Sequence, residues 1–275
     1  MTGYRQWTVA ESAAHIAVPV ADGDKYSRGV LGVVTGSVQY PGAAVLGVEG
    51  AIRTGIGMVR YLGSAGELVL QRRPEAVTAP GRVQAWLLGS GMDAADRDQA
   101  TTERLLSALA EGLPTVIDSG ALDLIDRATG PTVITPHYRE LAGVLSADAA
   151  EIAADPELWC TVAAESLGVT VLLKGTYTHV AGQDGTRLVA GPATNWLASA
   201  GTGDVLGGVL GALLASHSDA ALDDPAVLTR LAASAAVIHA EAAELASAGG
   251  PLAALDVAEA LQETVALMLR ANPRS

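Results

Sequence analysis

The side chains best placed to do chemistry lie in one stretch, Asn195-Trp196-Leu197-Ala198-Ser199-Ala200-Gly201-Thr202-Gly203-Asp204, which runs directly into the apolar segment Val205–Ala215. Small residues leading through Gly-Thr-Gly-Asp into an apolar run predict a glycine-rich loop that opens a buried helix. The start of such a helix presents free backbone N–H groups and the positive end of its dipole, which together seat an anion such as a phosphate. Gly201 and Gly203 let the backbone approach a ligand closely or take positive φ. Asp204 is the odd residue, because a carboxylate repels the anion that the loop attracts. Two roles account for it. One is an N-cap for the helix, the commoner use of such a residue. The other is a general base that takes a proton from a hydroxyl attacking a phosphate.

Lys174-Gly175-Thr176-Tyr177-Thr178 closes the apolar run Thr170–Leu173. A lysine at the end of a buried strand, followed by glycine and hydroxyl side chains, can hold a phosphate or a ribose; a hairpin edge with an exposed lysine reads the same way. His137, after Thr135-Pro136, either hydrogen-bonds a ligand or is satisfied at a helix start. Asp118 either caps a helix, the commoner role, or binds a metal–water shell. Gly91, in Gly89-Ser90-Gly91-Met92, either passes close to a ligand or makes a turn. All of these fall at strand ends or helix starts, where open α/β sheets bind ligands. A lysine, a histidine, glycine N–H groups and one aspartate on a common rim suit phosphoryl transfer, in which the protein positions groups and stabilises charge. There is no Gly-x-x-x-x-Gly-Lys-[Ser/Thr] phosphate loop. Gly201–Gly207 resembles a dinucleotide fingerprint only loosely, since no clear strand precedes it. The five histidines lack zinc-like spacing.

Positioning these groups requires a regular alternation of elements. Val30–Val34 is a short β-branched strand, followed by the loop Gly36–Gly42 and a small-residue helix from Ala43 to Arg53. Strand, glycine loop and helix in that order make a βαβ unit. Further strands are predicted at Met58–Leu62, Ala85–Leu88, Pro114–Asp118, Val133–His137 and Thr170–Gly175. A hairpin joins Tyr177–Ala181 to Thr186–Val189 through Gly182-Gln183-Asp184-Gly185. Helices are predicted at Ala95–Ala110, Tyr138–Leu145, Pro156–Leu167, Val205–Ser216, Pro225–Ala246 and Asp256–Leu269. Seven or eight strands alternating with as many helices favour a doubly wound, mostly parallel sheet over a barrel. No linker or repeat divides the chain, so one domain over residues 1–275 is expected.

Composition bounds the function. With 49% hydrophobic and 17% charged residues, a 275-residue chain has enough apolar material for a large core. A net charge of −13 disfavours nucleic-acid and anionic-membrane partners. Phosphates must then be held by local devices: helix ends, single lysines, metal ions. Cys160 is the one cysteine, which excludes a disulfide framework. The polar segment Met1–Ala14 has no signal-peptide apolar region, and Val205–Ala215 is too short to span a membrane. A soluble cytoplasmic protein is the expectation.

Several of these motifs, taken together, are familiar. Lys25-Tyr26-Ser27-Arg28-Gly29, Tyr40-Pro41-Gly42-Ala43-Ala44, Thr135-Pro136-His137-Tyr138-Arg139-Glu140, Leu173-Lys174-Gly175-Thr176-Tyr177-Thr178 and Gly201-Thr202-Gly203-Asp204-Val205-Leu206-Gly207-Gly208 run nearly end to end. With them the chain resembles the ADP-dependent (S)-NAD(P)H-hydrate dehydratases of the ribokinase-like superfamily. The Gly-x-Gly-Asp element is common to that superfamily; Thr-Pro-His and Lys-Gly-x-x-Thr are more specific. The resemblance implies a ribokinase-like three-layer α/β/α fold and a repair reaction. In it, hydrated NADH or NADPH is phosphorylated on its ring hydroxyl by a nucleotide, ADP or possibly ATP, and phosphate then leaves by elimination. It implies Asp204 as the base, the turn at Gly201, Thr202 and Gly203 as the anion hole, and Lys174, Gly175, Thr176, Tyr177 and Thr178 along the nucleotide. Ala43, Ala44, Gly91, His137 and Asp204 would contact the hydrated dinucleotide. Mg²⁺ would bridge the phosphates, with no protein metal ligand assigned, and the protein would be a homo-oligomer, commonly a tetramer. Thr202 replaces the usual serine, Trp196 and Leu197 replace small residues before the loop, and the companion epimerase domain of some members has no room in 275 residues. A kinase of the same fold acting on a hydroxyethylthiazole or hydroxymethylpyrimidine, and a non-catalytic nucleotide sensor, are the alternatives.

Overall fold

The computed structural model describes residues 3–272; Met1 and Thr2, which open the polar N-terminal segment, and the last three residues lie outside it. The strands are β1 (Arg5–Gln6), β2 (Val30–Val34), β3 (Met58–Tyr61), β4 (Ala85–Leu88), β5 (Thr115–Ile117), β6 (Thr132–Ile134), β7 (Thr170–Leu173), β8 (Thr178–Ala181) and β9 (Arg187–Ala190). They form one sheet in the order β1-β9-β8-β7-β6-β5-β4-β2-β3. Only β8 runs antiparallel to its neighbours, as the second strand of the Lys174–Thr178 turn and the first of the predicted hairpin. The ninth strand, β1, is two residues long and pairs in parallel with β9, too short to show any hydrophobic period.

The helices are α1 (Val9–Ala13), α2 (Gly42–Thr54), α3 (Gly66–Arg72), α4 (Gln99–Leu109), α5 (Tyr138–Leu145), α6 (Ala149–Ala154), α7 (Pro156–Leu167), α8 (Thr202–Ser216), α9 (Ser218–Asp223), α10 (Pro225–Ser247) and α11 (Ala254–Ala271), with a 3₁₀ helix at Ser119–Arg127. Alternate residues of each strand feed opposite layers. Leu31, Val33, Ala85 and Leu87 pack with α2, α8, α10 and α11, while Val30, Val34, Trp86 and Leu88 pack with α4, α5, α6 and α7. Burial on both faces is why the strands read as unbroken apolar runs. Helix α10 is apolar and long enough to cross a membrane, but 72% of its apolar window is buried in the protein, as in a core helix.

Two predicted boundaries move for local reasons. Helix α4 starts at Gln99 rather than Ala95, because the Asp98 side chain accepts from Thr101 N–H at 2.6 Å and caps it there. Helix α8 starts at Thr202 rather than Val205, because Gly201 at φ 90° turns the chain into it.

Close contact between α2 and α8 sets the height of that start. A Cβ on Gly208 would lie 2.1 Å from the Gly47 carbonyl oxygen, and one on Gly50 would lie 2.4 Å from that of Val205. Both obstacles are backbone and have no rotamer to yield. Alanine ordinarily gains about 1 kcal/mol over glycine inside a helix, but overpacking costs about 1–3 kcal/mol or more. Gly208→Ala is therefore expected to destabilise the protein, seen as a lower urea midpoint at unchanged slope; a midpoint at or above that of the parent would contradict this packing.

Candidate active site

In the sheet order, β2 is flanked by β3 on one side and β4 on the other, so successive connections leave in opposite directions and open a crevice at the strands' carboxyl ends. A cleft of about 900 Å³ occupies that rim. Its wall includes the loop after β2 (Tyr40 to Ala43), Gly91 after β4, Asp118 and Ser119 after β5, and His137 and Glu140 after β6. Lys174, Gly175, Thr176 and Thr178 after β7, with Thr194, Asn195 and Leu197 to Asp204 leading into α8, close it. Eleven of the thirteen site residues that the resemblance implies thus meet in one place, together with Asp118. Ala44 does not line the cleft; it is fully buried beneath Ala43 in the helix layer. Tyr177 also stands outside the lining, with its side chain in solvent. Of the two bulky residues before the glycine turn, Leu197 lines the cleft and Trp196 does not.

Lys174 is held by a buried acid. Its Nζ donates to Asp118 Oδ1 at 3.0 Å and lies 3.6 Å from Glu140 Oε2. Asp118 also accepts from Ser90 Oγ at 2.9 Å and Thr135 Oγ1 at 2.8 Å. It makes no helix-capping hydrogen bond, which corrects the capping expectation. Burial works to raise the Asp118 carboxyl, but the Lys174 charge and these three hydrogen bonds outweigh it and hold the group below its ordinary value. Burial likewise works to lower Lys174, and Asp118 and Glu140 outweigh it, so the ammonium stays charged. The backbone of Lys174 is fixed too: its N–H donates to the Pro136 carbonyl at 2.9 Å, extending the β6–β7 ladder into the cleft.

His137 does what a histidine at a helix start does. Its Nδ1 accepts from the N–H groups of Arg139 and Glu140, both at 3.1 Å, while Glu140 Oε2 accepts from the His137 N–H. This is a reciprocal capping box. The ring is half exposed on the cleft wall and Glu140 faces Lys174, so capping and cleft lining coexist.

Asp204 is the third residue of α8, within its first turn. No side chain caps that helix, so the capping role is overturned. Thr202 Oγ1 lies within reach of the Leu197 and Ser199 carbonyls, at 2.9 and 3.0 Å, and ties the preceding loop to the turn. A Cβ on Gly203 would come 3.5 Å from Lys174 Nζ, so the amide turn and the lysine face each other across the cleft. Asp204 is largely buried there. That burial, then the Asp118 and Glu140 carboxylates, raise it against the pull of Lys174 to about 7. A carboxyl poised near neutrality beside an amide-lined turn and a fixed lysine has the attributes of a general base.

Comparison with known proteins gives the family. The sequence pattern described as NAD(P)H-hydrate dehydratase matches residues 31–264. The chain belongs to the NAD(P)H-hydrate dehydratase family. It is similar to the bifunctional NAD(P)H-hydrate repair enzyme Nnr of Mycobacterium leprae, 41% identical over 224 residues that make up 77% of this chain and 46% of that protein. It is also similar to the ADP-dependent (S)-NAD(P)H-hydrate dehydratase of Xanthomonas campestris, 31% identical and covering 80% of this chain and 84% of that one. The chain spans about half the length of the bifunctional relatives it matches. In fold it matches the ADP/ATP-dependent NAD(P)H-hydrate dehydratase from Bacillus subtilis co-crystallized with ATP/Mg2+, with a TM-score of 0.83 at 24% identity over 98% of this chain and 100% of that one.

For a member of the NAD(P)H-hydrate dehydratase family, four polar residues of the site escape a reading of the sequence. Ser90 and Thr135 read as turn and strand-end residues, and Ser119 as part of a loop. Ser119 has φ 43° and donates to Glu140 Oε1 at 2.9 Å. The fourth, His239 of α10, lines the cleft from the middle of an apolar helix. Ser90 and Thr135 are brought in by their hydrogen bonds to Asp118, Ser119 by its bond to Glu140, and His239 by its place on the cleft wall.

Proposed function

We propose that the chain is an ADP-dependent (S)-NAD(P)H-hydrate dehydratase, which returns hydrated NADH or NADPH to the reduced dinucleotide while ADP becomes AMP and phosphate. One observation carries this: a carboxyl held near pKa 7, Asp204, follows the Gly201–Gly203 turn and faces Lys174. Family membership and the relatives' names support the choice of substrate.

Asp204 takes the proton of the ring hydroxyl as its oxygen attacks the terminal phosphorus of ADP, and the bond to the AMP oxygen breaks. The amide turn and Lys174 stabilise the charge that gathers on the transferred group. Phosphate then leaves with the electrons of the ring C–O bond, a neighbouring ring carbon gives its proton to water, and the C–H electron pair becomes the restored double bond. His137, Gly91 and Ala43 line the side of the cleft assigned to the dinucleotide; Lys174, Gly175, Thr176 and Thr178 line the nucleotide side.

Magnesium fits this donor set. Glu140 offers a hard carboxylate on the cleft wall, whereas the Asp118 oxygens are already taken by Lys174, Thr135 and Ser90. Among the described residues no three His, Cys, Asp or Glu side chains converge to hold a metal, which suits an ion carried mainly by phosphates and water. When bound it neutralises phosphate charge and orients the nucleotide. The resemblance further suggests a homo-oligomer, commonly a tetramer, and we place the protein in the cytoplasm, with the net charge of −13 speaking against nucleic-acid and anionic-membrane partners.

The test is hydrated NADH with Mg²⁺ and either ADP or ATP. Recovered reduced-nicotinamide absorbance with stoichiometric phosphate is expected. A phosphorylated product that persists would identify a kinase of this fold, and nucleotide binding with neither signal would remove the enzymatic reading.

A further inference from the structure

Helix α10 carries two buried polar groups left without a hydrogen-bond partner, the Thr229 hydroxyl and His239 Nε2, and only His239 lines the cleft. His239 is 6% exposed and lines the cleft between Ala236 and Ala240, yet its Nε2 makes no hydrogen bond. A neutral imidazole has one N–H and one bare nitrogen. Here the ring hydrogen-bonds to the backbone of Thr202, the first residue of α8, and burial, aided by the Lys174 charge, lowers its pKa to about 4. The ring is thus uncharged, set beside the backbone of the glycine turn, with Nε2 left without a partner. An unpaired buried polar atom is destabilising, and an apolar side chain of similar shape would avoid that cost. Native proteins keep such defects where function requires them.

We propose that His239 is a positioning residue. From behind, it holds the Gly201–Asp204 turn at the height that sets both the amide seat for the donor phosphate and the direction of the Asp204 carboxyl. The proposal rests on the dehydratase reading above. It separates His239 from a packing residue, because the two roles predict opposite results for removal of the ring.

Steady-state turnover of hydrated NADH, ADP dissociation constants and thermal midpoints are to be compared for the parent, His239→Leu and His239→Asn. Leucine deletes both nitrogens, so the thermal midpoint should hold or rise. Turnover should fall about a hundredfold, as it does when reacting groups are misplaced by an ångström, and ADP should bind about fivefold more weakly for loss of one hydrogen bond. The KM for the hydrated dinucleotide should hardly move. Asparagine keeps an amide donor near the position of the ring nitrogen that reaches Thr202, so it should recover most of both losses. Parent-like turnover and ADP affinity in His239→Leu, a leucine variant that fails to fold, or an asparagine variant as impaired as the leucine one would each overturn the proposal. If the parent itself does not turn over hydrated NADH, the functional reading fails separately, and the ADP dissociation constants decide the role of His239.

Discussion

Asp204→Asn is expected to bind nucleotide at least as well as the parent and to lose turnover by about 10²–10⁴-fold, the usual contribution of a positioned general base. Asparagine keeps the size of the side chain and removes the negative charge that opposes phosphate, so binding has no reason to weaken. What it loses is the ability to accept the hydroxyl proton. The parent should show the matching pH dependence. Since the base must be ionised and the carboxyl is raised to about 7, kcat/KM should climb with pH up to about 7 and level off above it. In Asp204→Asn that limb should vanish from whatever activity is left. Stability moves the other way. A carboxyl whose folded pKa lies above its unfolded value stabilises the fold when protonated, and that contribution is lost as pH rises from the unfolded value of 3.8 through about 7. Asp204→Asn should therefore be more stable than the parent above pH 7, where the parent holds a charge near Asp118 and Glu140. Undiminished turnover in the variant would remove Asp204 from the chemistry.

Lys174→Met has the second large effect, and it reaches both fold and site. Asp118 is buried, and the Lys174 charge does most to keep it ionised there. Removing one partner of a buried ion pair costs about 3–5 kcal/mol, because the other charge is stranded. The loss should appear as a lower urea midpoint that partly recovers on acidification, as Asp118 takes up a proton. Lys174→Met/Asp118→Asn strands no charge and should regain most of the stability, since asparagine can still bond to Ser90 and Thr135. Affinity for ADP should stay low in both variants. A single variant as stable as the parent would show that the ion pair does not govern the fold, and a double variant with parent-like ADP affinity would take Lys174 out of the nucleotide site.

The contrast between these two residues shows where sequence reading stops. Lys174 and the Gly201–Asp204 turn are legible because their chemistry is local: a charged side chain ending an apolar strand, and glycines opening an apolar helix. Asp118 is not, because its partners Ser90, Thr135 and Lys174 lie 28, 17 and 56 residues away in the chain. It also reads as a cap by type alone. Tyr177 and Ala44 sit inside motifs whose neighbours line the cleft. Their own directions depend on the pleat and the helix face, which a motif does not state.

From the sequence alone came the alternating, mostly parallel α/β architecture, the rim that carries the polar groups and the phosphate-directed chemistry, since apolar periods and glycine positions are properties of neighbouring residues. Tertiary structure alone decided that Asp204 is not the cap of α8, and it alone gave the carboxyl the surroundings that suit a base. Gly201 starts the helix early enough to place Asp204 inside its first turn, and the fold then buries it beside Asp118, Glu140 and Lys174. A pKa is set by burial and by charges brought together from distant strands, and those quantities exist only once the chain has closed on itself.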